Sequence, residues 1–325
     1  MVKIIKIDKK SEIPLVGAVM FGCIDRGTNI IQVRPTTICN LKCTFCSTNA
    51  NNSEVHPVEY IVEPNYLLQY IKEIVKFKGN SIILLDSVGD STTYPNLIEL
   101  IKEISKIKEV KKIIMESNGV LLNKKLISDL KKAGLNQINL SIHSLDKDLA
   151  KKLCGINSYN IDKIIEAAKE ITKNKIELVL TPVWIPKIND QDIIDLIKFS
   201  KEINAKIGIQ KYEVHKYGRK IKGIKRMNWY KFYKQLKEWE KEFDINLKMN
   251  PKELGIEKRK SLPKVFRKNE KTNVKIKTFG WIKNQMIGVA KNRSIAIINC
   301  NGEIDKTIRV KILRDKDNIY LAEPI

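Results

Sequence analysis

The sequence predicts an α/β protein: an open, partial (βα)6 barrel followed by a small all-β barrel. Three observations predict it. Strand-length apolar runs alternate with helical patterns up to about residue 215, that alternation stops after Tyr217, and five short strand-like runs follow Asn273.

A strand over 29–34 leads into a cysteine-rich loop. Helix 67–77 precedes strand 81–85, which ends in a turn from Asp86 to Ser91. Helix 96–107, strand 112–115 and helix 124–133 follow, with Ser117, Asn118 and Gly119 stopping the middle strand. Strand 136–142 ends at His143, helix 162–174 precedes strand 176–184, and helix 190–203 precedes a last strand over 206–214. Six such strands are too few for a closed eight-fold barrel and enough for an open, TIM-like one. Residues 1–24 form an N-terminal extension, 25–215 the partial barrel and 216–272 a helical and basic region. Residues 273–325 form the small barrel, its strands separated by Asn, Gly and Asp turns. Within 216–272, an amphipathic helix over 229–243 carries Trp229, Phe232, Tyr233 and Trp239, and a basic linker spans 252–272.

With 325 residues, 43% hydrophobic and 30% charged, the composition is that of a globular chain rather than a disordered or membrane one. No apolar run is long enough to span a bilayer. The N-terminal segment mixes lysine and isoleucine like a first strand rather than a secretory leader, so a cytoplasmic location is expected. The formal net charge is +23, which draws polyanions. Lysine-rich, isoleucine-rich chains also come from thermophiles and AT-rich genomes. Thermophile surfaces usually balance lysine with glutamate, and this one does not.

Six cysteines in such a chain point to metal or catalytic use rather than disulfides. Cys39, Cys43 and Cys46 stand as C-x3-C-x-Phe-C directly after a strand. Thiolates so spaced suit an iron–sulfur cluster, and three of them on four irons leave one iron open for chemistry. Zinc would require a second Cys or His pair, whereas His56, His143, Cys154 and Cys300 are scattered singly.

On this loop the chain resembles the radical S-adenosylmethionine (SAM) superfamily, over roughly residues 25–215. The resemblance implies a 4Fe–4S cluster on Cys39, Cys43 and Cys46, with S-adenosylmethionine chelating the open iron. An electron from an external donor, such as ferredoxin or flavodoxin, then yields a 5′-deoxyadenosyl radical. Phe45 of the motif, Gly89 and Asp90 of the turn, Ser117, Asn118, Ser141, Thr181 and Gln210 are implied to meet the cofactor or substrate. Asp90 stands where the family usually has Glu. Polar residues at the carboxyl ends of barrel strands face the site by geometry, although ordinary turn chemistry accounts equally for Asn118 and Gly119. His143 reads as a general base, a substrate contact or a structural histidine. Cys23, Cys154 and Cys300 read as buried, inert thiols, or Cys154 and Cys300 as the catalytic pair of a radical methylation.

The last fifty or so residues resemble the TRAM type of RNA-binding barrel, and the whole chain looks like a group of archaeal radical enzymes bearing it. Lys275, Lys311 and Arg314 supply cations there, and Phe279, Trp281 and Tyr320 candidate stacking surfaces, although alternate positions on any barrel are charged and the aromatics read equally as core. The resulting expectation is a transferase, methyltransferase-like, that modifies a nucleoside in RNA, with tRNA favoured. RNA would be held by the terminal barrel and the basic linker, and no membrane is involved. A radical enzyme for a peptide, protein side chain or small metabolite is the alternative, and a non-catalytic, cluster-bearing RNA binder a third.

Overall fold

The computed structural model describes residues 2–325. In chain order its elements begin with β1 (Lys3–Ile7), β2 (Gly22–Asp25), β3 (Ile30–Arg34), β4 (Val58–Val62), α1 (Pro64–Lys78), β5 (Ser81–Leu85) and α2 (Leu97–Ser105). Next come β6 (Val110–Ser117), α3 (Lys124–Ala133), β7 (Gln137–Leu140), α4 (Lys147–Cys154), α5 (Ile161–Lys173), β8 (Glu177–Leu180) and β9 (Val183–Trp184). They are followed by α6 (Asp190–Glu202), β10 (Lys206–Ile207), β11 (Gln210–Lys211) and α7 (Trp229–Phe243). The terminal strands are β12 (Lys271–Phe279), β13 (Gln285–Ala290), β14 (Arg293–Ile298), β15 (Thr307–Arg314) and β16 (Leu321–Pro324). The chain divides into two compact units, Met1–Cys39 with Asn51–Ile113 and Glu257–Ile325, and Asn40–Ala50 with Ile114–Ile256.

In the first unit β3 pairs antiparallel with β2 and parallel with β5. Ile31, Val33, Ile83 and Leu85 are fully buried, as strands covered on both faces require. Helix α1 starts at Pro64 behind Glu63, whose carboxylate accepts from the N–H groups of Asn65 and Tyr66. It buries Leu67, Ile71, Ile74 and Val75 along one stripe. The N-terminal strand is present as predicted, and β1 pairs in parallel with β4 in a separate two-stranded sheet.

The predicted terminal barrel is also present, closed in the order β12-β13-β14-β16-β15. Its core holds Val274, Ile276, Ile295, Ile297, Val310, Ile312 and Tyr320. It is not a loose appendage of its unit. The N–H of Ser294 donates to the Val16 carbonyl at 2.9 Å and that of Tyr320 to the Gly17 carbonyl at 2.9 Å. Gly17 has φ +127°, and a Cβ there would lie 2.0 Å from the Ser294 oxygen, so only glycine permits the approach. The basic linker is docked as well, with Asn29 N–H on the Glu257 carbonyl and Arg259 N–H on that of Gly27, at 2.8 and 2.9 Å. Beneath it Lys78 Nζ meets Asp25 Oδ1 at 2.6 Å, both side chains wholly buried, and Leu262 N–H donates to Asp25 Oδ2 at 2.7 Å.

In the second unit β6, β7, β8 and β10 are all parallel. The two last predicted strands each break in two. Residues 176–184 give β8 and β9, because Pro182 offers no N–H to continue the ladder. Residues 206–214 give β10 and the short β11, which pairs with β9 instead. Helices α3 and α5 are capped by Asn123 and Asn160, which accept from the first-turn N–H groups. Helix α7 buries Phe232, Leu236 and Trp239, with Trp239 4.8 Å from Trp184 between ring centroids. The molecule therefore joins a mixed α/β core to a closed five-stranded barrel. Among the described residues no helix is long and apolar enough to cross a membrane.

Candidate active site

The cysteine loop begins where β3 ends. In the first unit Thr37 is fully buried: its N–H donates to the Tyr60 carbonyl at 3.1 Å, its hydroxyl accepts from Tyr60 N–H at 2.8 Å and donates to Glu59. Burial pushes the Glu59 carboxyl up, against the hydrogen bonds from Thr37 and Trp281. One residue before Cys39, the Ile38 carbonyl accepts from Asp90 N–H at 2.9 Å and from the Thr93 hydroxyl at 3.0 Å. The predicted Gly89–Asp90 turn is thus clamped onto the start of the loop. A Cβ on Gly89 would stand 2.0 Å from the Ile38 oxygen, so this approach requires glycine. Asp90 is buried, and its Oδ1 accepts from the Thr92 N–H at 2.9 Å and from the Thr92 hydroxyl.

In the second unit the remainder of the loop rests on the carboxyl end of α4. The last carbonyls of a helix lack partners inside it. Those of Leu153 and Cys154 accept from Thr44 N–H at 2.9 Å and Lys42 N–H at 3.1 Å. Gly155 ends the helix at φ +69°, where a Cβ would meet the Lys42 oxygen at 2.1 Å. Arg219 closes the loop from the other side. Its guanidinium donates to the Cys43 carbonyl at 3.2 Å and the Ala50 carbonyl at 2.8 Å, and its N–H to the Cys46 carbonyl at 2.8 Å.

Cys43 donates its thiol to the Cys154 sulfur, and this contact with burial pushes it well above the ordinary thiol range, while nearby Arg219 opposes the shift. Burial pushes the Tyr159 phenol well up, and its contact with Cys154 adds to the shift. Cys46 Sγ lies 3.3 Å from the Thr48 hydroxyl. Among the described residues no three His, Cys, Asp or Glu side chains stand together as metal ligands, the Cys43 thiol being engaged with Cys154. The donor chemistry fits an iron–sulfur cluster nonetheless: soft thiols on one short loop, with a guanidinium beside Cys43 to offset the charge of bound thiolates.

The strand-end residues fall into place in the same unit. Ser117 and Ser141 follow from neighbouring strands β6 and β7, the Ser141 N–H donating to the Ser117 carbonyl at 2.9 Å. The Ser141 hydroxyl lies 3.4 Å from that of Thr181 at the end of β8. The Ser117 hydroxyl accepts from Gly119 N–H at 3.0 Å. Asn118 reaches the cysteine loop, donating to Asn40 Oδ1 at 2.7 Å, and the Asn40 Nδ2 atom is buried without a hydrogen-bond partner. Gln210 is exposed on β11.

Phe45 packs with Leu153, Ile185 and Tyr212 and meets the edge of His143 at 4.7 Å. His143 is buried, its Nδ1 accepts from Val183 N–H at 3.1 Å, and burial lowers its pKa to about 4. It is therefore a neutral imidazole near pH 7, supporting Phe45 and β9. Cys300 lies in the terminal barrel's core beside Gly302. The structure departs from expectation at two proposed stacking residues. Trp281 is buried, stacked on His56 at 3.7 Å with its Nε1–H on Glu59 at 3.2 Å, and Tyr320 is wholly buried with its hydroxyl on Asn318 Oδ1 at 2.6 Å. Both have polar tips that find partners indoors, leaving Phe279 as the exposed member of the three. Sequence reasoning missed Arg219 and Asn40. Beside Arg219, Gly218 also lies close to the loop, where a Cβ would stand 2.9 Å from the Ser47 oxygen.

Fold and loop together define a cluster-bearing α/β enzyme. The family model for the Radical SAM superfamily matches residues 33–200, and the chain belongs to that superfamily. Its members use a 4Fe–4S cluster and S-adenosylmethionine, and take the electron from an external donor. The chain is 40% identical over 340 residues to an uncharacterized protein of Methanocaldococcus jannaschii, covering 96% of this chain and 78% of that one. It is 28% identical to the GTP 3′,8-cyclase of Aquifex aeolicus, over 58% of each chain. The chain thus spans less than two thirds of the cyclase's length. Among solved structures, a radical SAM methyltransferase from Sphaerobacter thermophilus shares the fold with a TM-score of 0.53 at 13% identity, over 68% of this chain and 65% of that one.

Proposed function

We propose that this radical SAM enzyme modifies a nucleoside in RNA, most simply tRNA, by radical methylation or another carbon-centred transfer. The observation that carries the reading is the charge: 60 Lys and Arg against 37 Asp and Glu, a net +23 that a neutral metabolite gives no reason to build. Two facts support it. The chain ends in a closed five-stranded barrel, a size of fold that suits oligonucleotides. The cyclase relatives, by their name, act on a purine nucleotide. In this reading Cys39, Cys43 and Cys46 hold the cluster, which when bound supplies the electron that cleaves the cofactor. Gly89, Asp90, Ser117, Asn118, Ser141 and Thr181 position S-adenosylmethionine, and ferredoxin or flavodoxin reduces the enzyme.

The test is an anaerobic incubation of reconstituted protein with dithionite and S-adenosylmethionine, with and without total tRNA. Deoxyadenosine that rises with tRNA, alongside a new nucleoside mass, is the expected result. Formation at the same slow rate either way moves the substrate to peptides and metabolites. The Cys43→Ala variant is expected to lose cleavage while keeping its circular dichroism and tRNA affinity. Retained cleavage would remove the cluster from Cys43.

A further inference from the structure

We infer that the exposed face of α7 is a docking surface for a single-stranded segment of RNA. This rests on the RNA reading above and locates its contact away from the terminal barrel. The helix already satisfies its core stripe, burying Phe232, Leu236 and Trp239. It nevertheless carries three more aromatics on the solvent side: Trp229 at 54%, Tyr230 at 77% and Tyr233 at 48% exposure. One large aromatic in water is unremarkable, but three together on one face mark a binding surface.

The arrangement is ordered rather than loose. The Trp229 and Tyr233 rings stack at 5.6 Å between centroids with 22° between planes. Lys211 places its ammonium 4.7 Å from the Trp229 ring centre, and its side chain is itself buried, bonded to the Met227 carbonyl at 3.0 Å and paired with Glu213. A platform fixed in this way loses little entropy when a base stacks on it.

Charge completes it. Trp229, Tyr233, Lys237 and Lys241 recur at every fourth position, and Tyr230 and Lys234 form the adjacent row. These residues line one groove of about 630 Å³, together with Glu238. Aromatics occupy its N-terminal half and ammonium groups its C-terminal half. Bases stack on the first, and the phosphates that continue from them meet the second, which is how sequence-tolerant single-strand surfaces work. A duplex presents no unstacked base to such rings, so the ligand is a loop or single-stranded end.

The four tryptophans make a direct readout available. Trp184, Trp239 and Trp281 are buried at 6, 5 and 5% exposure, so Trp229 alone is open to a stacking base. Titrating the intact protein with a short oligouridylate is expected to quench tryptophan fluorescence saturably. The Trp229→Phe variant should keep the binding and lose the quenching. The double variant Trp229→Ala, Tyr233→Ala should bind oligouridylate and tRNA on the order of tenfold or more weakly, with circular dichroism unchanged. Wild-type tRNA binding with no quenching, and unchanged affinity in the double variant, overturns this surface and leaves the RNA reading standing. A wild-type protein that binds neither tRNA nor oligouridylate at low salt overturns the RNA reading and the surface with it. A double variant that instead dissolves a dimer in light scattering reassigns the face to a second copy of the chain.

Discussion

His143 shows how a single side chain links site and stability. Its ring is buried against Phe45 and accepts from Val183 N–H, so protonating it breaks a hydrogen bond and buries a charge. Burial moves its pKa from 6.5 down to about 4. The unfolded chain therefore binds more protons across that window, and stability falls as pH drops from about 6.5 towards 4. The loss is about 3 kcal/mol, some 1.4 per pH unit, and it is absent above that window. His143→Gln keeps an acceptor for Val183 without the titration, so its denaturation midpoint should lack this part of the acid slope. An equal slope in both proteins would place the charge elsewhere. At this scale the three cysteines were legible because their spacing is the chemistry. Arg219 was not: it serves the backbone carbonyls of Cys43 and Ala50, far away in sequence, and carbonyls leave no mark in a sequence. Cys154 was legible as a candidate thiol, but its position beside Cys43 follows from α4, an eight-residue helix that the sequence reading passed over.

Elements were legible where apolar periodicity is long, as in α1, α3 and α5, and illegible where pairing is non-local. Nothing in 3–7 announces β4 as its neighbour, and the basic linker read only as a linker because its own residues show no period. Its backbone is in fact docked on residues 27–29, over the ion pair of Lys78 and Asp25. That pair also holds the linker through the Lys260 carbonyl, which accepts from Lys78 Nζ at 2.9 Å, and through Leu262 N–H. Breaking one side of a wholly buried pair leaves the other charge in a low-dielectric site, at a cost of about 3–5 kcal/mol. Lys78→Met should accordingly lower the urea midpoint by that equivalent and open 257–264 to proteolysis. Lys78→Met combined with Asp25→Leu should recover part of the loss. A single variant as stable as the wild type would show that water reaches Asp25.

For the whole molecule, charge was legible and its placement was not. The sequence offered Phe279, Trp281 and Tyr320 as stacking surfaces or as core; Tyr320 joined the barrel core, and Trp281, in the turn after β12, was covered by His56 and Glu59. Phe279 alone of the three stays exposed, and a cluster of further exposed aromatics, Trp229, Tyr230 and Tyr233, sits on α7. The sequence showed α7 as an amphipathic helix carrying aromatics without saying which of them face water. The terminal barrel carries Lys275, Lys311 and Arg314 among its cations, Lys275 being paired with Asp305 at 3.2 Å, and in the RNA reading these would meet phosphates. Contacts of this kind position RNA without reading it, and each displaces condensed counterions. A protein with a +23 surface that engages six or more phosphates should lose on the order of a thousandfold in tRNA affinity between about 50 and 200 mM salt. The stacking contribution on α7 is not ionic, so oligouridylate quenching should weaken less steeply than tRNA binding over the same range. Filter binding and fluorescence titrations across that series separate the two slopes. Parallel slopes would assign oligouridylate to the same phosphate contacts as tRNA, and a flat tRNA slope would return the net charge to composition alone.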